Sequence, residues 1–241
     1  MPLESAESKK TRLYVLEQYF LRNGTQPGRI HDWLRDGLLP QLVKIHRGPK
    51  IVLDALVAPH QPQVAFICGY ESLAEWRDVS ARLASDGGFR KKLEAWEEPA
   101  ESPYENITRT LLETADYSPE ITAPAAPPKA SRIFELRVYH SPTWRQLKAL
   151  HERFAGPEIR IFHRVGVRPV LYASTLAGSS MPNLVYLIPF DDLASREKAW
   201  NAFGADPEWV KVRKESIEQH GQISSIIQIS LYRAAPYSPV R

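Results

Sequence analysis

The first half of the chain shows successive segments of strand-like and helix-like hydrophobic spacing. Residues 12–19 have the pattern of a strand, and apolar side chains recur at helical spacing from Gly28 to about Ile45. Two short apolar runs, 51–58 and 63–69, flank a proline-containing loop and predict a hairpin. The pattern therefore predicts a strand, a helix and two further strands in this order.

The same half of the chain closes with a second helix and a last strand. The helix is predicted to begin after Tyr70, with a further helical turn after Asp86, and the strand lies near residues 107–113. Together the elements follow the order βαββαβ. This order is typical of a ferredoxin-like module, in which four antiparallel strands carry both helices on one face.

The pattern occurs twice, at a constant shift of 120 residues. Residues 12–19 match 132–139, and residues 66–74 match 186–194 without a gap. Only the first helices are expected to need a short insertion. The repeat predicts a disordered tail at 1–10, a first module at 11–116, a proline-rich linker at 117–130 and a second module at 131–236.

Each predicted module would leave one face of its sheet uncovered. A bare face of this size would expose several hundred Å² of apolar surface, so it requires a partner. The equivalent face of the other copy is the nearest candidate. We therefore predict an α+β protein in which two tandem ferredoxin-like modules pair their sheets into an α/β barrel, either within a monomer or by exchange in a homo-oligomer.

Composition narrows the function classes. The net charge of +3 comes from Lys and Arg spread along the whole chain, which argues against a nucleic-acid partner. No segment has the length and apolarity of a membrane span, and the N-terminus lacks a targeting pattern, so a cytoplasmic protein is expected. The single cysteine, Cys68, lies in an apolar run and is predicted to be a buried, inert thiol.

The sequence contains none of the common cofactor or metal motifs. It lacks HExxH, paired CxxC, GxGxxG, the P-loop and GxSxG. We therefore predict no metal site and no cofactor, while haem stays open.

Several segments of the second copy resemble the NIPSNAP family, and the first copy looks like a degenerate version of the same pattern. The matching segments are Phe134-Glu135-Leu136-Arg137-Val138-Tyr139, Phe162-His163, Gly166-Val167, 190–197 and Asp206-Pro207-Glu208-Trp209. The resemblance implies a dimeric α/β-barrel architecture, which is shared with antibiotic-biosynthesis monooxygenases and haem-using relatives. It does not supply a reaction.

Candidate ligand-binding residues follow from strand alternation. If Phe134, Leu136 and Val138 pack on the helices, the intervening polar side chains must point into the barrel. We therefore predict a polar small-molecule pocket inside the barrel, lined by Glu17, Tyr19, Asp54, Arg137, Tyr139 and Tyr172. In the alternative interpretation Arg137 bridges Glu17 or Glu135 and has only a structural role.

Two histidines, His46 and His163, end the predicted first helices and are the candidates for a catalytic base or a ligand. Each could equally be a cation favoured at a helix C-terminus. Three functions remain open: a NIPSNAP-like protein that binds a small, partly apolar molecule between its modules, a monooxygenase- or isomerase-type enzyme acting on a hydrophobic metabolite, and a non-catalytic interaction protein.

Overall fold

The computed structural model describes residues 10–123, 126, 128 and 130–241. The predicted N-terminal tail, apart from Lys10, and four positions of the predicted linker lie outside the described residues. None of the helices in the described ranges is long and apolar enough to cross a membrane.

The described residues form eight strands and eight α-helices, and each half of the chain contains one short π-helical segment within its first helical region. The elements of the first module are β1 (Leu13–Phe20), α1 (Gln26–Asp32), a π-helical segment (Trp33–Leu38), α2 (Leu39–Ile45), β2 (Lys50–Val57), β3 (Gln63–Tyr70), α3 (Leu73–Ser85), α4 (Gly87–Glu97) and β4 (Asn106–Thr114). Those of the second module are β5 (Ile133–His140), α5 (Trp144–Arg153), a π-helical segment (Phe154–Glu158), α6 (Ile159–Val165), β6 (Leu171–Ala177), β7 (Asn183–Phe190), α7 (Leu193–Ala205), α8 (Pro207–His220) and β8 (Ile226–Ala234).

The eight strands close into one antiparallel barrel in the order β1-β3-β2-β8-β5-β7-β6-β4. Within each module the strand order is that of a ferredoxin-like sheet. The two sheets join at both edges, where β2 pairs with β8 and β4 pairs with β6. The predicted fold is thus confirmed, and one chain supplies both junctions of the barrel.

Each module contains one helix more than the pattern predicted. The helical turn expected after Asp86 is a full helix, α4, and α8 is its counterpart in the second module. Both helices begin at an aspartate that accepts hydrogen bonds from free backbone amides: Asp86 from Phe89 N, and Asp206 from Glu208 N and Trp209 N at 3.0 and 3.1 Å. Such caps satisfy amides that have no partner within the helix.

The barrel interior is apolar, which makes the predicted direction of the strand side chains wrong. Phe134 and Leu136 lie inside the barrel together with residues of the first module such as Tyr14 and Leu16. Their polar neighbours on β5 face the helices outside. Both sheet faces are covered, so hydrophobic alternation alone could not distinguish them. The helices pack only on the outer face of the sheet. A charged side chain inside the barrel would therefore have few partners.

The segments that follow β4 and β8 each cross to the other module and fix its edge strand. Ala235 N donates to Val52 O at 2.9 Å, and Val52 N donates to the Ser238 hydroxyl at 3.0 Å. The equivalent bonds join Ala115 and Ser118 to Tyr172, at 2.9 and 3.0 Å. The predicted linker therefore begins with ordered, buried residues that close the barrel.

The shift of 120 residues also holds through the first helices. The helices α2 and α6 end at Ile45 and Val165, so the expected insertion between the copies is wrong. His46 consequently occupies the position of Gly166, which adopts φ +91° at the end of α6. His46 and His163 are not equivalent residues.

Candidate functional site

A large cleft lies outside the barrel, between the first module's sheet and its helices. We call it the first-module cleft, and its volume is about 760 Å³. Side chains from β1, β3 and β4 form its floor, and the π-helical segment with the helices α2 to α4 forms its walls. By contrast, the pocket that reaches between the two modules at one end of the barrel measures about 180 Å³.

A group of aromatic side chains forms one part of the cleft wall. Trp33 stacks on Trp96 with ring centroids 4.9 Å apart and planes at 13°, and Phe89 lies 5.4 Å from Trp33. Tyr104 extends this wall from Trp96 to the sheet, where it contacts Tyr19 edge-on. Rings held in this way form a rigid apolar surface suited to a flat ligand.

A single carboxylate, that of Glu17, lies on the floor of the cleft. It accepts a hydrogen bond from the Tyr19 hydroxyl at 2.8 Å and forms an ion pair with Arg109, whose Nη2 lies 2.6 Å away. Arg109 in turn lies over the ring of Trp76. Burial, reinforced by the charge of Glu17, holds the pKa of Tyr19 well above its usual value, so Tyr19 stays a hydrogen-bond donor.

Cys68 also lines the cleft, as a buried free thiol. Burial raises its pKa to about 11, and the neutral thiol is unreactive at physiological pH.

The corresponding space in the second module is smaller, because larger side chains occupy part of it. Arg137 occupies the position of Glu17, and Trp200 occupies that of Ser80, at the same shift of 120 residues. The Arg137 guanidinium lies 3.7 Å from the centre of the Trp200 ring and forms an ion pair with Glu135. The alternative structural interpretation of Arg137 thus describes its Glu135 contact correctly, although the bridge stays within one module.

The six predicted ligand-binding residues separate into three places. Glu17 and Tyr19 line the first-module cleft. On the second module's helix side, Arg137 donates to the Tyr139 hydroxyl at 2.9 Å, and Tyr172 packs in the same core. Asp54 lies near the surface and accepts from His31 Nε2 at 2.7 Å. The structure therefore does not place all six residues together inside the barrel, where they were predicted to lie.

The two candidate histidines have different surroundings. His46 is buried at the end of α2 and stacks on Tyr70. Its Nε2 lies 2.7 Å from Gly69 O, so it holds the chain in place at the end of β3. Burial lowers its pKa. His163 is exposed on α6, and its pKa is lowered by partial burial and by Arg168. Neither lines the first-module cleft.

Two histidines that the sequence did not single out connect the modules. His31 Nδ1 lies 2.7 Å from the Tyr237 hydroxyl, so that Tyr237, His31 and Asp54 form a continuous chain. In the other module His151 links Tyr117 to Ser174 through two contacts of 2.7 Å. The signal was present in the sequence, because Tyr-Ser-Pro occurs at 117–119 and again at 237–239.

The described residues contain no group of three or more His, Cys, Asp or Glu side chains that could hold a metal ion. The first-module cleft has one carboxylate on its floor, which is already paired, and aromatic rings in its walls. This arrangement suits an organic ligand.

Comparison with known proteins matches residues 134–239 to the NIPSNAP family. No curated protein matches the chain. A NIPSNAP family protein of unknown function from Agrobacterium tumefaciens is 18% identical over 47% of this chain and 97% of its own, with a TM-score of 0.42.

Two solved structures are similar over almost the whole chain. An anthrone oxidase-like protein is 15% identical with a TM-score of 0.58, covering 94% of this chain and 92% of its own. A candidate monooxygenase from Fusobacterium nucleatum is 9% identical with a TM-score of 0.60, covering 93% and 92%. At these identities the similarity shows the fold alone.

Proposed function

From the match of residues 134–239 to the NIPSNAP family, we propose that the protein binds a small aromatic molecule carrying a hydroxyl or amino group in the first-module cleft. The observation that carries the proposal is one ion-paired carboxylate on the floor of a cleft walled by stacked aromatic rings. The second module keeps the fold, but side chains fill much of the equivalent space.

The size and lining of the cleft define the ligand class. Its volume of about 760 Å³ falls within the range of small-molecule sites, roughly 300–1,000 Å³. Trp33, Trp96 and Phe89 offer flat apolar contact. A ligand hydroxyl or amino group can donate to Glu17, since a carboxylate accepts several hydrogen bonds. The ligand is therefore aromatic and a hydrogen-bond donor.

Calorimetric titration of the full chain with 2-naphthol tests the proposal. We expect saturable binding that weakens about 10–100-fold in Glu17→Gln, because a hydrogen bond to a charged group contributes roughly 1.5–3 kcal/mol. Glu113→Gln removes an exposed carboxylate from a neighbouring strand and serves as the matched control. Equal affinities of the two variants for 2-naphthol, or no binding by the unmodified protein, would refute the proposal.

Native mass spectrometry of the freshly purified protein complements the titration. A copurified organic molecule that is absent from Ser80→Trp would identify the natural ligand of the cleft. The same spectrum gives the oligomeric state. We expect a monomer, because one chain closes both sheet junctions.

An enzymatic role for the same cleft is the second candidate. Glu17 lies in an apolar enclosure where it could accept the proton of a phenolic substrate. Two solved structures that share this fold over almost the whole chain are a candidate monooxygenase and an anthrone oxidase-like protein, so oxygen chemistry is the reaction to test first. Measurement of dissolved oxygen during incubation with 2-naphthol distinguishes the two roles, since a binding protein leaves the oxygen concentration unchanged.

A further inference from the structure

A buried carboxyl group in the second module has no counterpart in the first. Glu158 ends the π-helical segment of the second module and is 1% exposed. Its partner is Arg153, whose Nε donates to it at 2.7 Å. In the first module the equivalent position is Leu38, which packs against the apolar core. The fold itself therefore does not require a charge here.

Glu158 borders a cleft on the helix side of the second module. This cleft, which we call the Glu158 cleft, has a volume of about 200 Å³ and lies against α8 and β8. Its polar side chains besides Glu158 include Tyr139, Arg153 and the exposed Arg213. Its apolar walls are Trp209, Ile217, Ile223 and Ile227. A site of this size admits only a molecule smaller than typical drug-sized ligands.

The positive and negative charges that line the Glu158 cleft are not balanced. Arg153 and Arg213 are both cationic, whereas Glu158 is the one acidic residue among the lining residues. Arg153 is held between the ring of Trp209 and Glu158, so its position is fixed. Guanidinium groups in such positions recognise carboxylates through charge-assisted hydrogen bonds.

Other titratable groups pack around Glu158 from several elements. They are Arg153 from α5, Arg213 from α8, Tyr117, Tyr139, Tyr172 and Tyr186. Burial raises the pKa of Tyr172, and the charge of Glu158 raises it further. The buried Tyr172 hydroxyl has no hydrogen-bond partner among the described residues. An unpaired hydroxyl near a buried carboxylate is costly in a purely structural core and is consistent with a site that changes its protonation state.

We propose that the Glu158 cleft is a second binding site, which takes a short-chain aliphatic carboxylate and takes up a proton at Glu158 as the ligand binds. The two arginines receive the ligand's carboxylate, and the isoleucines and Trp209 contact its alkyl chain. A second negative charge beside Glu158 favours its neutral form. The proton comes from solvent, and no covalent bond changes.

The pKa of Glu158 places this coupling in the physiological pH range. Burial raises the pKa of Glu158 to about 7, although Arg153 opposes the shift. Near neutral pH the group is therefore partly ionised before the ligand binds. Because binding and proton uptake are linked, the affinity for the carboxylate should fall as the pH rises above 7, by up to tenfold per unit.

Calorimetric titration of the full chain with butyrate tests the proposal. Performed in two carboxylate-free buffers of different ionisation enthalpy, it measures both affinity and the number of protons taken up. We expect saturable binding with an uptake of about half a proton at pH 7, which follows from a pKa near 7. Absence of butyrate binding, or binding without proton uptake, would overturn the proposal.

Two variants separate the roles of the residues. Glu158→Gln mimics the neutral carboxyl group, so butyrate should still bind and the proton uptake should disappear. Arg213→Gln should weaken butyrate binding roughly tenfold or more, because a charge-assisted hydrogen bond is lost. Lys214→Gln removes an equal charge from the same exposed helix and should leave the affinity unchanged. Equal effects of the two α8 variants would contradict the site, even if Glu158→Gln failed to fold.

Discussion

The first-module cleft makes a specific prediction about Ser80, which lies at its mouth on α3. In the second module the equivalent residue is Trp200, which packs on Phe162 and Arg137 and helps to fill the corresponding space. Ser80→Trp should therefore place an indole across the cleft opening and reproduce the packed state of the second module. We expect it to abolish 2-naphthol binding while it stabilises the fold.

The size of the stabilisation follows from the buried area. A tryptophan buries roughly 150–250 Å², which at about 25 cal/mol/Å² is a gross gain of roughly 4–6 kcal/mol. Loss of rotamer freedom and imperfect fit in a cleft shaped by Leu83 and Trp76 cost about 2–4 kcal/mol. The net gain should be about 2 kcal/mol, or an increase in Tm of about 4–8 °C for a chain of this length.

Denaturant unfolding and calorimetry with 2-naphthol measure both effects. Ala81→Trp is the matched control, since Ala81 is exposed on the same helix and its substitution should change neither stability nor binding appreciably. The reasoning would be refuted if Ser80→Trp bound 2-naphthol as tightly as Ala81→Trp. Destabilisation by Ser80→Trp would show that the cleft cannot accept an indole.

Three further predictions concern the barrel and its closing segments. Ser238→Ala should cost about 1–3 kcal/mol of unfolding free energy, because the buried Val52 amide loses its acceptor, whereas Ser85→Ala should cost little. Phe134→Ala should cost about 3–5 kcal/mol in chemical unfolding, as expected for a fully buried side chain. Burial lowers the folded-state pKa of His151, so the unfolded chain binds protons more readily and stability should fall as the pH drops below about 6.5; His151→Gln should flatten that dependence.

The repeat predicted the fold well because its evidence was spread over the whole chain. A shift of 120 residues recurring in several elements requires two copies of one module, and two uncovered sheet faces require each other. The closed barrel confirms this reasoning. Helix α4 was underestimated as a single further turn, because it begins with two glycines, Gly87 and Gly88, which weaken any helical pattern.

The site was predicted less well because strand alternation gives two faces but does not say which one is inside. Around Phe134 and Glu135 both faces are buried, one in the barrel and one beneath helices. Glu135 points to the helix side because it pairs there with Trp200 and Arg196. These contacts join distant segments of the chain, so strand alternation does not reveal them. Glu17 and Tyr19 were found as polar residues, but their partner Arg109 could be identified only from the strand pairing.

The six tryptophans allow the central claim to be tested directly. Trp33, Trp76 and Trp96 line the first-module cleft, whereas Trp144, Trp200 and Trp209 belong to the second module. The measurement is fluorine NMR of the protein labelled with 5-fluorotryptophan during titration with 2-naphthol. The account predicts that the three first-module resonances shift and those of Trp144, Trp200 and Trp209 do not. Shifts confined to the second-module tryptophans, or no shifts at all, would contradict it.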